Sequence, residues 1–377
     1  MICVDCRYIR ERPSGIGAVV QALVDHLPRL APDLHFFFLK HPKGPARLSL
    51  APNVHERVVP EEANGPATLL WLPHVVDLRG VRLFHATFNI LPAGLKMPTV
   101  ATIHDVMWLK HPKCTRSPGP WGHVETVFYQ RGIRHALRRA TRIAAISQAT
   151  RDEIGELDRD AYERTRIAMP GVADHFRRLS GEVGEAAIRE ARNRWLNGAQ
   201  RYVLTVGQFA GYKNHPAVVR AFARAFRDDP SVHLGLVQRL GAGERVLRPL
   251  ARSLGVEERV HFLPAVPLPD LIALYNGALA LCHPSLYEGF GIPPAEALAC
   301  GCPVITSNRS SMPEVSGDAA LLVDPESDES IAEALRRVAY EPGLAEQMRA
   351  RGFERKRQLT WEAFARANLE IYREILG

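Results

Sequence analysis

Short apolar runs alternate with longer helix-patterned stretches along most of the chain. In the first half the runs are ICVDC (2–6), LHFFFL (34–39), RLFHA (82–86), VATIHD (100–105) and RIAAIS (142–147). The second half adds YVLTVG (202–207), VHLGLV (232–237), VHFLP (260–264), LALCH (279–283), PVITS (303–307) and AALLV (319–323). Most of these runs are nearly continuous in apolar residues instead of alternating, as expected of strands covered on both faces. Between them, AVVQALVDHLPRL, HPAVVRAFARAF and DLIALY repeat their apolar positions at the helical period. Strands separated by helices in this way predict parallel, doubly wound α/β sheets.

The pattern occurs twice. One series ends near MPGVADHF (169–176), and a second starts at RYVLTVG (201–207). The charged segment between them has helical but no strand character. A boundary near residue 175 follows, with one domain over 1–175 and another over 176–377. The final helix, TWEAFARANLEIYREIL, is assignable to the second domain or to packing back on the first. Doubly wound sheets bind ligands at the carboxyl ends of their strands, so two of them predict a site in a central cleft between domains.

Composition agrees with a globular protein. Of 377 residues, 46% are hydrophobic and 24% charged. No apolar run reaches the roughly 18 residues that a membrane span needs. The start, MICVDCRYIRERPSG, lacks the basic-then-apolar order of a secretory signal, and the expectation is a cytoplasmic protein. Cys3 and Cys6 have the spacing of a redox or metal pair, but no second pair accompanies them and Cys3 falls inside the first strand. They read as small buried hydrophobes.

Charge changes the picture more. The net +7 lies wholly in residues 1–170, which hold 23 Lys/Arg against 16 Asp/Glu. Such an excess suits an anionic partner. Its densest cluster is RGIRHALRRATR, where Arg131, Arg134 and Arg138 recur at helical spacing and share a face, with Ile133 and Leu137 off it. That face is either simply solvated or meets an anionic membrane surface.

The most informative stretch is LYEGFGIPPAEALACGCPV (286–304). It follows a strand, bends at EGFG and enters a helix whose first turn accommodates Pro293 or Pro294, with Gly301 as the stop. A glycine-rich bend running into a helix presents backbone N–H groups and the positive end of a helix dipole, a geometry that binds phosphate or diphosphate. The acids beside it, Glu288 and Glu296, would repel a phosphate. They fit better as acceptors for hydroxyl groups, Glu288 on a sugar and Glu296 on a ribose. The simple alternative is that Glu296 favours the helix dipole and Glu288 caps a turn.

This stretch resembles the signature of retaining glycosyltransferases of family 4, in which two glutamates are separated by seven residues. PSGIGAVVQAL, TIHDVMWL, SQATRDEI with MPGV, VGQFAGYKNH and SSMPEVSGDAALLVDP are similar to that family's layout in the same order. The resemblance implies an α/β fold of two Rossmann-like doubly wound domains facing a central cleft (GT-B). It implies transfer of a hexose from a nucleotide-sugar donor to a hydroxyl of a glycan, glycolipid or small-molecule acceptor. No metal or other cofactor and no nucleic acid is implied, and GDP-mannose is the favoured donor.

Carried over position by position, the resemblance implies catalytic roles for His104, Lys213 and Glu288. It implies substrate binding by Gly15, Gly17, Asp105, Gln208, Phe290, Gly291, Ile292 and Glu296. Gly15 is the better match to the glycine that approaches the diphosphate. His85 in LFHATFN is a second histidine candidate for the cleft. Gln208 stands where the family carries an arginine, leaving one cation fewer for the departing diphosphate unless Arg239 or a helix dipole supplies it. Three alternatives stay open: a UDP-glucose or UDP-N-acetylglucosamine donor, a non-catalytic nucleotide-sugar-binding protein, and a metal-dependent transferase using Asp158-Arg159-Asp160. The last pair of acids sits in an acidic helical stretch and reads as solvated surface.

Overall fold

A computed structural model describes residues 1–11, 14–115, 119–237 and 242–377. Arg239 lies outside the described residues. The chain divides into two compact units, Met1–Gly171 with Thr360–Gly377, and Val172–Leu359.

The first unit is built on seven parallel strands: β1 (Ile2–Asp5), β2 (Phe36–Lys40), β3 (Val54–Val58), β4 (Leu83–Ala86), β5 (Thr99–Ile103), β6 (Arg142–Ala145) and β7 (Thr165–Ile167). Their order is β3-β2-β1-β4-β5-β6-β7. Chain direction across the sheet reverses between β1 and β4, so the loops after these two strands diverge and leave a crevice. The central strands β1, β4 and β5 are buried throughout, which matches their largely apolar sequences; Asp5, His85, Thr99 and Thr102 are the polar residues among them. The pattern does not announce β3, VHERV, or β7, TRI. The first is a largely exposed edge strand and the second has three residues.

The helix Gly15–Leu30 covers one face, burying Val19, Val20, Leu23, Val24 and Leu27. The last helix, Trp361–Leu376, belongs to this unit and adds Phe364, Leu369, Ile371 and Tyr372 to the same core. Tyr372 also reaches the sheet, its Oη lying 2.6 Å from His85 Nδ1. The other face packs Leu72, Ile133, Ala136 and Leu137 against Phe84, Ala101 and Ile103.

The second unit has six parallel strands: β8 (Arg201–Val206), β9 (Val232–Val237), β10 (Val260–Leu263), β11 (Ala280–His283), β12 (Val304–Ser307) and β13 (Ala320–Val323). The order is β10-β9-β8-β11-β12-β13. Here the reversal falls between β8 and β11, which fixes where the chemistry sits. Helix His215–Ala225 follows β8 and buries Val218, Val219 and Phe222 against β9 and helix Asp328–Tyr340. Helix Ile292–Ala299 follows β11.

Candidate functional site

In the second unit the loop after β8 carries Gly207, Gln208 and Lys213, and the loop after β11 carries Glu288, Phe290 and Gly291. The two strands are neighbours at the reversal point, so their loops meet. Asn214, in a left-handed conformation at φ 59°, donates from Nδ2 to the Pro284 carbonyl at 3.2 Å. Leu286 N–H donates to the Tyr212 carbonyl at 2.7 Å. Gly207 has φ 147°, a region that L side chains rarely adopt, and the Lys213 stem lies over it with Cδ 3.6 Å from where a Cβ would stand.

Lys213 Nζ is hydrogen-bonded and ion-paired to Glu288 Oε1, and each side chain is only 11% exposed. The same oxygen accepts two further bonds, from His283 Nε2 at 3.0 Å and Ser285 Oγ at 3.0 Å. An ionised carboxylate only accepts, so the imidazole proton is on Nε2. Burial by itself would raise the Glu288 carboxyl, but Lys213 and His283 together hold it at about 2, against an ordinary 4.5. Burial would likewise lower Lys213, and Glu288 reverses this and raises it. His283, fully inside, is lowered by burial and by Lys213, with the Glu288 bond opposing.

The EGFG bend is held from the next loop. Ser310 Oγ donates to the Glu288 carbonyl at 2.5 Å, and Ser311 Oγ lies 2.9 Å from the carbonyls of both Glu288 and Phe290. Gly291 is the residue before the helix, at φ 103°; a Cβ there would stand 2.3 Å from Met312 Cε. Ile292 begins the helix, Pro293 and Pro294 follow in its first turn, and Gly301 at φ 72° lies just beyond its end. Phe290 is buried and Ile292 half-buried. The loop thus aims a helix N-terminus beside the Lys213–Glu288 pair.

Glu296 does not join that pair. It lies on the same helix, where Tyr275 Oη donates to its Oε2 at 3.1 Å. Burial pushes its carboxyl up to about 8, with the Tyr275 bond opposing. Gln208 is exposed on the loop after β8.

In the first unit, Ser14 caps helix Gly15–Leu30 by accepting from Gly17 N–H at 3.0 Å. The close approach falls at Gly17: a Cβ there would stand 3.1 Å from Ser14 Oγ and 3.1 Å from the Tyr8 carbonyl. Gly15 is exposed at the first helical position. His104, at the end of β5, donates from Nε2 to the Thr87 carbonyl at 2.9 Å and is lowered to about 4 by burial. Its backbone N–H donates to Asn89 Oδ1 at 2.8 Å. Asp105 Oδ1 accepts from Met107 N–H at 3.0 Å, closing the turn. His104 and the Gly15–Gly17 turn therefore follow different strands of one sheet edge.

His85 departs from its expected place. It is fully buried, with Nδ1 bonded to Tyr372 and Nε2 to Thr102 Oγ1 at 2.7 Å, so both nitrogens are occupied inside the core. It ties the last helix to the sheet and is not a cleft histidine. Asp158 caps the helix Arg159–Glu163 by accepting from Ala161 N–H, as an acid in solvated helical surface does. Cys3 and Cys6 are both buried free thiols.

Two family models match the chain in succession. Residues 13–175 match Glycosyltransferase Family 4, and residues 188–355 match Glycosyl transferases group 1. The chain belongs to glycosyltransferase family 4. Curated relatives of this family-4 chain include O-antigen chain mannosyltransferase B of Escherichia coli, 28% identical over 77% of this chain and 74% of the relative. Another is a D-inositol 3-phosphate glycosyltransferase of Saccharomonospora viridis, 28% identical over 74% of this chain. The chain spans 65% of the length of that relative and 29% of the Escherichia coli serotype-specific mannosyltransferase WbdA. Among solved structures, WaaG, a glycosyltransferase involved in lipopolysaccharide biosynthesis, superposes with a TM-score of 0.75 at 18% identity, covering 100% of both chains. Anabaena HepE in complex with UDP and glucose gives 0.70 at 16% identity, covering 99% of each chain. These structural likenesses establish the GT-B fold.

For a family-4 glycosyltransferase, four residues of this site carry contacts that the motifs did not assign to them. His283 and Ser285 stand immediately before the glutamate signature, and Ser310 and Ser311 open the SSMPEV stretch after the next strand, β12. For His283 and Ser285 the sequence signal was position: HPS closes β11, and residues closing that strand face the same edge as Glu288.

Proposed function

We propose that this chain transfers a hexosyl group from a nucleotide sugar to a hydroxyl of a glycan, glycolipid or small-molecule acceptor, with retention and without a bound metal. The observation that carries the reading is the Lys213–Glu288 pair, placed where β8 and β11 diverge and beside the N-terminus of helix Ile292–Ala299. A diphosphate entering there gains the helix amides and takes over the Lys213 ammonium. Glu288, released from that cation, accepts a hydrogen bond from a hydroxyl of the transferred sugar. Stabilising the departing diphosphate lowers the barrier, because negative charge grows there as the glycosidic bond breaks. Glu296 lies on the same helix and serves the ribose; in the first unit the turn around Gly15 and Gly17, with His104, is the part assigned to substrate. Gln208 leaves Lys213 as the cation named for this task.

GDP-mannose is the favoured donor, since relatives of the chain are named mannosyltransferases. UDP-glucose is the second reading, favoured by the similar structure of Anabaena HepE in complex with UDP and glucose. Melting-temperature screening against GDP, UDP and their sugar conjugates tests the choice: a selective rise of several degrees identifies the base.

The acceptor is presented at an anionic membrane surface, in polysaccharide or glycoconjugate synthesis on the cytoplasmic side. Helix Pro120–Arg139 exposes Arg131, Arg134 and Arg138 on one face while Ile133 and Leu137 are buried. The same face continues through Val124 and Val127, with Trp121 78% exposed at its start. An apolar stretch followed by arginines fits the boundary between acyl chains and anionic headgroups. Among the described residues no helix is long and apolar enough to cross a membrane.

A further inference from the structure

We infer that His283, assisted by Ser285, is the positioning residue for Glu288: it anchors one carboxylate oxygen so that the other faces the ligand, and keeps the anchor when Lys213 turns to the diphosphate. The inference rests on the function proposed above.

Three donors converge on Glu288 Oε1, and they differ in freedom. Lys213 sits on a long flexible stem on the far side of the reversal point. His283 is 1% and Ser285 0% exposed, and both belong to the end of the strand that carries Glu288. The backbone beneath them is pinned from both neighbouring strands. Thr205 Oγ1 on β8 donates to the Cys282 carbonyl at 2.9 Å, and Thr306 Oγ1 on β12 donates to the His283 carbonyl at 2.9 Å. Ser285 Oγ lies 3.1 Å from His283 Nε2 and 3.0 Å from Glu288 Oε1, so imidazole, hydroxyl and carboxylate form a closed triangle. A donor pair fixed at a strand end and a long-stemmed cation on the same oxygen make an arrangement with two states. In one, Lys213 closes the site. In the other, Lys213 engages a phosphate while Glu288 keeps its place.

The same geometry explains why Glu288 would otherwise be lost as an acceptor. A carboxylate left in the interior without a donor takes up a proton. The groups facing His283 are Glu288 and Ser285 on its own strand end and loop, and Lys213 and His215 from the loop and helix after β8. Of these, only Glu288 is an anion.

The test uses His283→Ala, which removes the donor, and His283→Gln, whose amide N–H reaches as Nε2 does. With any nucleotide sugar that the wild-type chain turns over, the alanine variant is expected to lose at least tenfold in kcat with donor KM within threefold. The acid limb of its kcat profile should move to higher pH, and His283→Gln should recover most of the rate with the wild-type limb. Turnover unchanged in His283→Ala overturns the inference. So do equal losses in both variants with an unmoved acid limb, which is the outcome of a packing role. Nitrogen-15 spectra of the imidazole provide a readout that needs no substrate. The wild type is expected to show a neutral ring protonated at Nε2, and Glu288→Gln should shift that signal. A ring protonated at Nδ1, or one indifferent to Glu288→Gln, overturns the inference even if the chain transfers sugar. A wild type that turns over no donor but shows the expected spectra would instead count against the proposed function.

Discussion

Lys213 and Glu288, 75 positions apart in sequence, form an almost fully covered ion pair across the point where the second sheet reverses direction. Neither residue has a local reason to meet the other. The strand order β9-β8-β11-β12 brings their loops together. The pair is thus a product of topology, and disturbing either member reports on both the fold and the chemistry.

Lys213→Ala should cost stability as well as rate. It leaves a covered carboxylate with only His283 and Ser285, and removing one partner of a buried pair costs about 3–5 kcal/mol, with the two remaining donors favouring the low end. Urea unfolding at pH 7 measures it. Turnover should fall at least tenfold, about 1.4 kcal/mol of barrier.

The same pair sets an acid dependence. The Glu288 carboxyl is held at about 2, below its ordinary 4.5. Its contribution to stability is therefore complete above about 4.5 and is lost as pH falls toward 2. Unfolding free energies between pH 5 and pH 2 should decline less steeply in Glu288→Gln than in the wild type.

Glu296 has the opposite sign. Burial raises its carboxyl to about 8, so the folded chain disfavours its ionised form increasingly as pH rises from 4.5. Glu296→Gln should stabilise the chain at pH 8, on the order of 2 kcal/mol, and leave it unchanged at pH 4. If Glu296 serves the ribose, the same variant binds nucleotide more weakly. Denaturation at the two pH values and nucleotide titration separate these effects.

Much of this was legible in the sequence, and the failures have physical causes. Continuous apolar runs such as VATIHD and YVLTVG announced buried central strands. VHERV did not, because an edge strand needs no apolar run when one flank is solvent. The glutamate signature located the bend at Gly291, and its φ of 103° shows why glycine is there. The pairing of Lys213 with Glu288 depended on strand order, which no local window contains. The docking of Tyr372 on His85 depended on where the last helix returns, and that too is a long-range fact.

Gly291→Ala should destabilise by about 1–3 kcal/mol, since an L side chain is strained at this backbone conformation. Because Gly291 also sets the helix start, nucleotide affinity should fall in parallel, as calorimetry would show.

The arginine face makes a separable prediction. The chain should co-sediment with anionic but not neutral vesicles at low salt, and the triple change Arg131→Glu, Arg134→Glu and Arg138→Glu should abolish this. Turnover of a soluble acceptor should be unaffected. Equal recovery in the supernatant with both vesicle types would point to a small soluble acceptor.

The central claim is that the Lys213–Glu288 pair opens to receive the diphosphate of a nucleotide sugar. Release of nucleotide from GDP-mannose and from UDP-glucose, followed with the wild type and with Lys213→Ala in the presence of EDTA, tests it most directly. The account predicts release from one of the two donors, insensitive to EDTA and at least tenfold slower in the variant. Release at equal rates in both proteins, or release that EDTA abolishes and manganese restores, would contradict it.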